Sequence, residues 1–186
     1  VKQSLKAGII AGIFAFSFSP AAPVIRTAQA IDWTSFAGAG IQYIALEKEI
    51  KYLDNDGRNE FFEQMKKKYG VNDDPRANAM LDRIMTRLSA SIAQTDSSIV
   101  KKPYNYFVNN DTSFNAFCTL GHNMSVNTGL YNYLNNEDEI AVVLAHEMGH
   151  GQKDHPARGM KRSLGPAILA SATGTVLGAI AANIWS

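Results

Sequence analysis

The sequence has 186 residues, of which 46% are hydrophobic and 19% charged, and it carries 18 basic side chains against 17 acidic ones. This composition is typical of a globular protein and excludes the collagen-like, low-complexity and disordered classes. The nearly balanced charge does not support binding to nucleic acid, which requires a clustered basic face. Cys118 is the single cysteine, which excludes an intramolecular disulfide bond and a structural zinc site built from cysteines.

The first 30 residues, 1–30, have the features of a secretory signal peptide. Lys2 and Lys6 form a basic start, residues 8–18 are apolar, and Ala28-Gln29-Ala30 supplies a small-x-small cleavage site. The apolar run of about 11 residues is too short to cross a hydrocarbon layer of about 30 Å as a helix. We therefore expect export to the periplasm or another extracytoplasmic space, and an uncleaved membrane anchor is the alternative.

Residues 31–100 are predicted to form a helical N-terminal part. The predicted helices cover residues 34–53, 59–68 and 75–92, and the last begins with a proline after two aspartates, as helices often do. Each helix has apolar residues at helical spacing, which are expected to face the core. These residues are Phe36, Ile41, Ile44 and Ile50 in the first helix, Phe61, Phe62, Met65 and Tyr69 in the second, and Met80, Leu81, Ile84, Met85, Leu88 and Ile92 in the third.

The character of the sequence changes after the third helix. Tyr104, Tyr106 and Val108 alternate with other residues, which is typical of a strand, and a second strand is predicted around residues 124–127. The expected fold class is therefore α+β, mostly helical, with a small β-sheet.

A further helix is predicted over residues 137–151. Asn136 is the expected N-cap, and Glu139 follows three residues later, as in a capping box. His146 and His150 are four residues apart, so a helix carries both imidazoles on one face, one turn apart. Two imidazole nitrogens in this arrangement can hold one Zn²⁺ at about 2.0–2.1 Å each.

Glu147 directly follows the first of these histidines, where it can reach a water on the metal without being a ligand. Zinc lowers the pKa of that water, Glu147 takes its proton, and a peptide carbonyl is attacked. The pattern fixes only three positions. The alternative is therefore a chance match in a structural helix whose histidines are satisfied in the core.

The rest of this helix is apolar enough to be buried. Ala141, Leu144, Ala145 and Met148 are expected to pack beneath the histidine face, and Val143 lies on the metal side. Because the helix is apolar on both sides, we also expect the two histidines to be buried, where a metal would satisfy them.

Three short segments precede His146-Glu147-Met148-Gly149-His150, and together with it they form a specific sequence pattern. They are Asn115-Ala116-Phe117, Thr128-Gly129-Leu130 and the helix entry Glu137-Asp138-Glu139-Ile140-Ala141. Over roughly residues 100–160, this arrangement resembles peptidase family M48, which contains CAAX prenyl proteases, heat-shock membrane proteases and soluble periplasmic proteases. The sequence has a predicted leader and no long polytopic region, so it fits the soluble periplasmic branch best.

The resemblance implies a zincin-like metallopeptidase core over residues 101–186, with the sheet flanking the active-site helix. It implies one zinc ion per chain, held by the two histidines, with Glu147 as the general base. It also implies that an extended substrate pairs with an edge strand beside the cleft. The candidate residues of that strand are Asn115, Ala116 and Phe117.

The sequence departs from the family at the third metal ligand, which the family takes from a glutamate on a later helix. No glutamate follows Glu147 here, whereas three protein ligands and a water are usual in catalytic zinc sites. We expect the sequence to stop before that helix. The alternatives are a substitute ligand, His155 or Asp154, and a protein that has lost catalysis. Cys118, where the family often has alanine, either shields the zinc as a thiolate or packs as a small buried residue.

The predicted function is that of a zinc-dependent endopeptidase that hydrolyses peptide bonds of cell-envelope proteins. The alternative is a catalytically inactive zinc-binding or chaperone-like envelope protein that holds extended peptides. In both cases the partner is a protein or peptide. The apolar tail, residues 164–185, is predicted to pack as a helix against the active-site helix; the alternative is membrane association through this tail or the leader.

Overall fold

A computed structural model of the chain describes residues 33–134 and 136–171. The predicted leader and the last part of the apolar tail, residues 172–185, lie outside these residues. None of the described helices combines the length and the apolarity that a membrane crossing requires.

The described residues form seven α-helices and three strands. The helices are α1 Trp33–Asp54, α2 Arg58–Tyr69, α3 Pro75–Ala93, α4 Ser98–Lys101, α5 Thr128–Tyr133, α6 Glu137–Gln152 and α7 His155–Ser171. The strands are β1 Asn105–Asn109, β2 Ala116–Thr119 and β3 Asn123–Asn127, and a 3₁₀ turn, Leu120–His122, joins β2 to β3. The predicted α+β class, mostly helical with a small sheet, is confirmed.

Two helices begin where their local sequence predicts. The Asp74 carboxylate accepts a hydrogen bond from the Arg76 N–H at 2.8 Å, directly before Pro75 opens α3. At α6, the Asn136 side-chain oxygen accepts from the Glu139 N–H at 3.0 Å. Each bond satisfies an N–H group that has no partner inside its helix.

The sheet is mixed, with β3 in the centre and the order β1-β3-β2. β3 runs parallel to β1, with Asn123 opposite Asn105, and antiparallel to β2, with Val126 opposite Ala116. β2 therefore lies at an edge of the sheet. Its residues alone did not predict a strand, because a four-residue segment is too short to display an alternating pattern.

Helices α3 and α6 cover one face of the sheet, and the main hydrophobic core lies between them and the strands. Its buried residues are Ala77, Leu81, Ile84, Met85, Ile99, Tyr104, Val108, Ala116, Met124, Val126, Leu130, Ile140, Leu144 and Met148. The predicted apolar stripe of α3 is thus largely confirmed.

Helix α2 lies against the opposite face, where its Phe62 ring meets Phe107 of β1 edge-on at 5.5 Å. This face of the sheet also carries a buried polar network. Asn109 Nδ2 donates to Ser125 Oγ at 2.8 Å and to Asn127 Oδ1 at 2.7 Å. These bonds satisfy amide groups that would otherwise be costly to bury.

The chain divides into two compact units. Described residues 33–51 and 158–171 belong to the first, in which Leu46, Ile50 and Met160 are buried. Residues 52–157 belong to the second, which contains every predicted site residue. The predicted domain boundary at residue 100 stays a prediction.

One predicted core position of α1 is wrong, because Ile44 is 54% exposed. The buried residues of this helix are Leu46, Ile50 and Leu53, which follow one another at spacings of four and three. Ile44 and Ile50 are six residues apart and therefore lie on different sides of a helix. The side chains of Phe36 and Ile41 lie outside the described part.

Candidate active site

Helix α6 presents one narrow apolar face to the core. Ile140, Leu144, Met148 and Gly151 are buried, at spacings of four, four and three residues. The prediction that Leu144 and Met148 pack beneath the histidine face is confirmed, because both side chains are buried in the core. The prediction for Ala145 is wrong, because this residue is exposed.

The two predicted metal ligands lie on the opposite side of α6. His146 Nε2 and His150 Nε2 are 3.1 Å apart, and the rings meet edge-on with centroids at 4.8 Å. His146 is exposed and His150 is partly buried, so the prediction that both are buried is wrong. The helix has only one buried face, and the histidines lie outside it.

Glu147 is partly buried and points towards strand β2. Its carboxylate accepts a hydrogen bond from the backbone N–H of Cys118. Burial raises the pKa of Glu147 above its ordinary value, and the bond from Cys118 and the nearby His150 and His146 partly oppose this rise. A carboxyl group with a raised pKa is a more effective proton acceptor near neutral pH.

The register of β2 decides which backbone groups face the active-site side. The Asn127 N–H donates to the Asn115 carbonyl at 3.0 Å, so Asn115 and Asn127 form a hydrogen-bonded pair. In an antiparallel ladder every second pair is hydrogen-bonded, so the N–H and C=O of Phe117, two residues later, also point to β3. Ala116 and Cys118 then direct their backbone groups away from β3, in agreement with the bond from Cys118 to Glu147.

The C-terminal half of α6 sits very close to the sheet. A Cβ atom at Gly151 would lie 2.5 Å from Tyr104 Oη and 3.0 Å from Cys118 Sγ. Tyr104 Oη donates to the Met148 carbonyl at 2.6 Å. Sequence reasoning missed this role of Tyr104 and Gly151, since no local pattern relates residues so far apart in the chain.

The Cys118 thiol belongs to this contact region. Burial, and to a smaller extent the nearby Glu147 carboxylate, raise the pKa of the thiol above its ordinary value. This environment favours the protonated thiol and supports the interpretation of Cys118 as a small packing residue.

The two histidines fit a shared zinc ion. Two ligands of one tetrahedral zinc, each at about 2.0–2.1 Å, lie about 3.3 Å from each other, close to the observed 3.1 Å between the two Nε2 atoms. Within residues 33–134 and 136–171, no group of three or more His, Cys, Asp or Glu side chains is arranged to hold a metal. The described residues therefore offer two of the usual three protein ligands.

Comparison with known proteins identifies the family of this chain. The family model described as peptidase family M48 matches residues 75–185, which is more than half of the sequence. The chain belongs to peptidase family M48. The matched residues include the strands, the helix α6 and both of its histidines.

Among the similar proteins, a Vibrio cholerae protein with the provisional name β-barrel assembly-enhancing protease is 29% identical over 166 residues, which are 88% of this chain and 32% of the relative. The β-barrel assembly-enhancing protease of Escherichia coli K12 is 31% identical over 105 residues, 54% of this chain and 22% of the relative. A mitochondrial metalloendopeptidase of Arabidopsis thaliana is 40% identical over 60 residues, 32% of this chain and 12% of the relative. The chain thus spans about a third or less of the length of each.

Proposed function

We propose that this chain is the catalytic part of a zinc-dependent endopeptidase. One zinc ion is held by His146 and His150, and Glu147 is the general base. The observation that carries the proposal is the approach of the two Nε2 atoms to 3.1 Å, beside a partly buried carboxylate, on the helix that family M48 matches.

A bound zinc would supply Lewis-acid chemistry, polarising the scissile carbonyl and making water a stronger acid. Glu147 removes a proton from the attacking water and afterwards delivers it to the leaving amine. The backbone N–H of Cys118 donates a hydrogen bond to the Glu147 carboxylate. This bond keeps the carboxylate in one orientation while it accepts the proton and then delivers it.

The strand β2 is the proposed support for the substrate. Within the described residues, no strand pairs with the side of β2 that faces away from β3. The register directs the N–H and C=O of Ala116 to that side, so they can pair with an extended peptide as a further strand would. Asn115 and Phe117 hold the strand in place through their bonds to β3.

The third protein ligand is proposed to come from a part of the protein outside this sequence. The chain spans only 32% of its Vibrio cholerae relative, and no glutamate follows Glu147 in the sequence. Asp154 is exposed and less suitable, because it lies in the turn after α6 rather than on the histidine face.

The proposed substrates are proteins of the cell envelope. Two observations support this: the signal-peptide features of residues 1–30 and the names of the relatives as β-barrel assembly-enhancing proteases. We accordingly propose a periplasmic or other extracytoplasmic location.

A second candidate function is a protein that binds zinc and holds extended peptides without cleaving them. It is favoured by the finding of only two converging ligands among the described residues. Both candidates predict zinc binding through His146 and His150, and only the first predicts hydrolysis.

Measurements of zinc content and of cleavage of an unfolded protein such as casein test the proposal. We expect about one zinc per wild-type chain and none in His150→Ala. Glu147→Gln is expected to keep its zinc and lose cleavage by about a hundredfold or more. Glu139→Gln, an exposed change on the same helix that preserves hydrogen bonding at the N-cap, is the matched control and should cleave normally.

Each outcome separates the candidates. Zinc binding with no cleavage by the wild type would favour the peptide-holding protein. Cleavage by Glu147→Gln at the wild-type rate would refute the proposed general base. A wild type that holds no zinc would contradict both candidates.

A further inference from the structure

A third histidine continues the pair on α6. His150 Nδ1 lies 2.8 Å from His155 Nδ1, with ring centroids 5.0 Å apart and the ring planes at 61°. His150 is therefore the middle member of a chain of three imidazoles: its Nε2 faces His146 and its Nδ1 faces His155.

The position of His155 depends on a break in the helix. Five residues along a continuous helix correspond to a rotation of about 140°, which would turn His155 away from His150. Instead, α6 ends at Gln152, Asp154 has a left-handed φ of 51°, and α7 begins at His155. Aspartate tolerates this conformation better than most residues, and the turn brings His155 back to the side of His150.

The contact also restricts where the protons lie. An imidazole that binds a metal through Nε2 must carry its proton on Nδ1. For His150, that proton then points to His155 Nδ1, which can accept it when the proton of His155 is on Nε2. Such partners fix the tautomer and the ring orientation of a metal ligand.

We propose that His155 is a positioning residue, which accepts a hydrogen bond from His150 Nδ1 and so holds the His150 ring with Nε2 directed at the metal. This inference rests on the proposed function. It assigns His155 a role different from that of the third ligand, because its Nδ1 meets the outer nitrogen of His150 and not the point where the two Nε2 atoms converge.

The test compares zinc affinity in the purified wild type with that in His155→Ala, His155→Asn and Asp154→Asn, by competition with a chromophoric chelator. We expect the alanine variant to bind zinc about tenfold to a hundredfold more weakly. The asparagine variant should recover much of the affinity, because its amide oxygen can accept from His150 Nδ1. Asp154→Asn keeps the left-handed turn and should match the wild type.

Two further readouts separate positioning from coordination. In the Co²⁺-substituted protein, the visible absorption of His155→Ala should keep the wild-type band positions, since no ligand is lost. In the metal-free protein, ¹⁵N NMR should find the His150 proton on Nδ1 in the wild type and a mixture of tautomers in His155→Ala.

Unchanged zinc affinity in His155→Ala would overturn the proposal. Equal weakening in both His155 variants, with shifted Co²⁺ bands, would also overturn it, because His155 would then be a ligand. A wild type that binds no zinc would refute the proposed function alone. The tautomer of His150 in the metal-free protein would then decide whether His155 positions His150. The same mixture of tautomers in the wild type and in His155→Ala would overturn the proposed role of His155.

Discussion

Tyr104→Phe tests how the sheet holds the active-site helix. Tyr104 is 7% exposed, its Oη donates to the Met148 carbonyl at 2.6 Å, and it lies 3.1 Å from Gln152 Oε1. Its ring stacks on His122 at 4.5 Å, with only 14° between the planes. Phenylalanine keeps the ring and this stacking, so the substitution removes the hydroxyl group alone.

The expected loss follows from the environment of that hydroxyl. A hydrogen bond contributes about 0.5–1.5 kcal/mol net, and a buried group left without its partner costs about 1–3 kcal/mol. The Met148 carbonyl belongs to a helix and has part of its bonding capacity satisfied there. We therefore expect the free energy of unfolding to fall by about 1–2 kcal/mol.

Urea unfolding followed by circular dichroism measures this change. With a slope of about 1–3 kcal/mol per molar urea, a loss of about 1–2 kcal/mol should lower the midpoint by about 0.3–2 M. Tyr133→Phe removes the same atom from a side chain that is 66% exposed. This control should change the free energy of unfolding by less than about 0.5 kcal/mol.

An equal effect of the two tyrosine variants would refute the reasoning, because the bond from Tyr104 to Met148 would then contribute nothing to stability. A loss in Tyr104→Phe together with weaker zinc binding would show in addition that this bond positions the helix segment between the two histidines.

Further predictions concern the core, two glycines and a buried histidine. Leu144→Ala, at a fully buried position, should cost about 2–5 kcal/mol, whereas Val142→Ala, on the same helix and 71% exposed, should stay within about 0.5 kcal/mol in the same urea experiment. Gly129→Ala would place a Cβ 2.2–2.3 Å from two backbone carbonyl oxygens and should lower the free energy of unfolding by about 1–3 kcal/mol or more. Gly149 lies inside a helix, and a Cβ there would meet no atom within 4 Å, so Gly149→Ala should raise the free energy of unfolding by about 0.5–1 kcal/mol. A lower free energy of unfolding in Gly149→Ala would contradict this prediction. Burial lowers the pKa of His122 below its ordinary value of about 6.5, so its stabilising contribution is present above that pH and is lost as the pH falls through the lowered pKa. Between pH 7 and pH 5 the wild type should thus lose stability more steeply than His122→Gln, and parallel pH profiles would argue against this role.

The sequence by itself determined the helix of the candidate site. Residues 137–151 were predicted and Glu137–Gln152 is observed, because the signals are local: Asn136 caps the first turn and three acidic residues favour the positive end of the helix dipole. The spacing of His146 and His150 likewise places both rings on one face of any helix, whatever surrounds it.

The tertiary structure decided which side of that helix is buried. Hydrophobic residues occur on both sides of α6, so composition predicted burial all round, yet only the side that meets α3 and the sheet is covered. The contact of Tyr104 with Met148 joins residues 44 positions apart, and the pairing of β2 with β3 depends on the rest of the sheet. Such contacts exist only once separate elements have packed, and the sequence pattern of one element does not contain them.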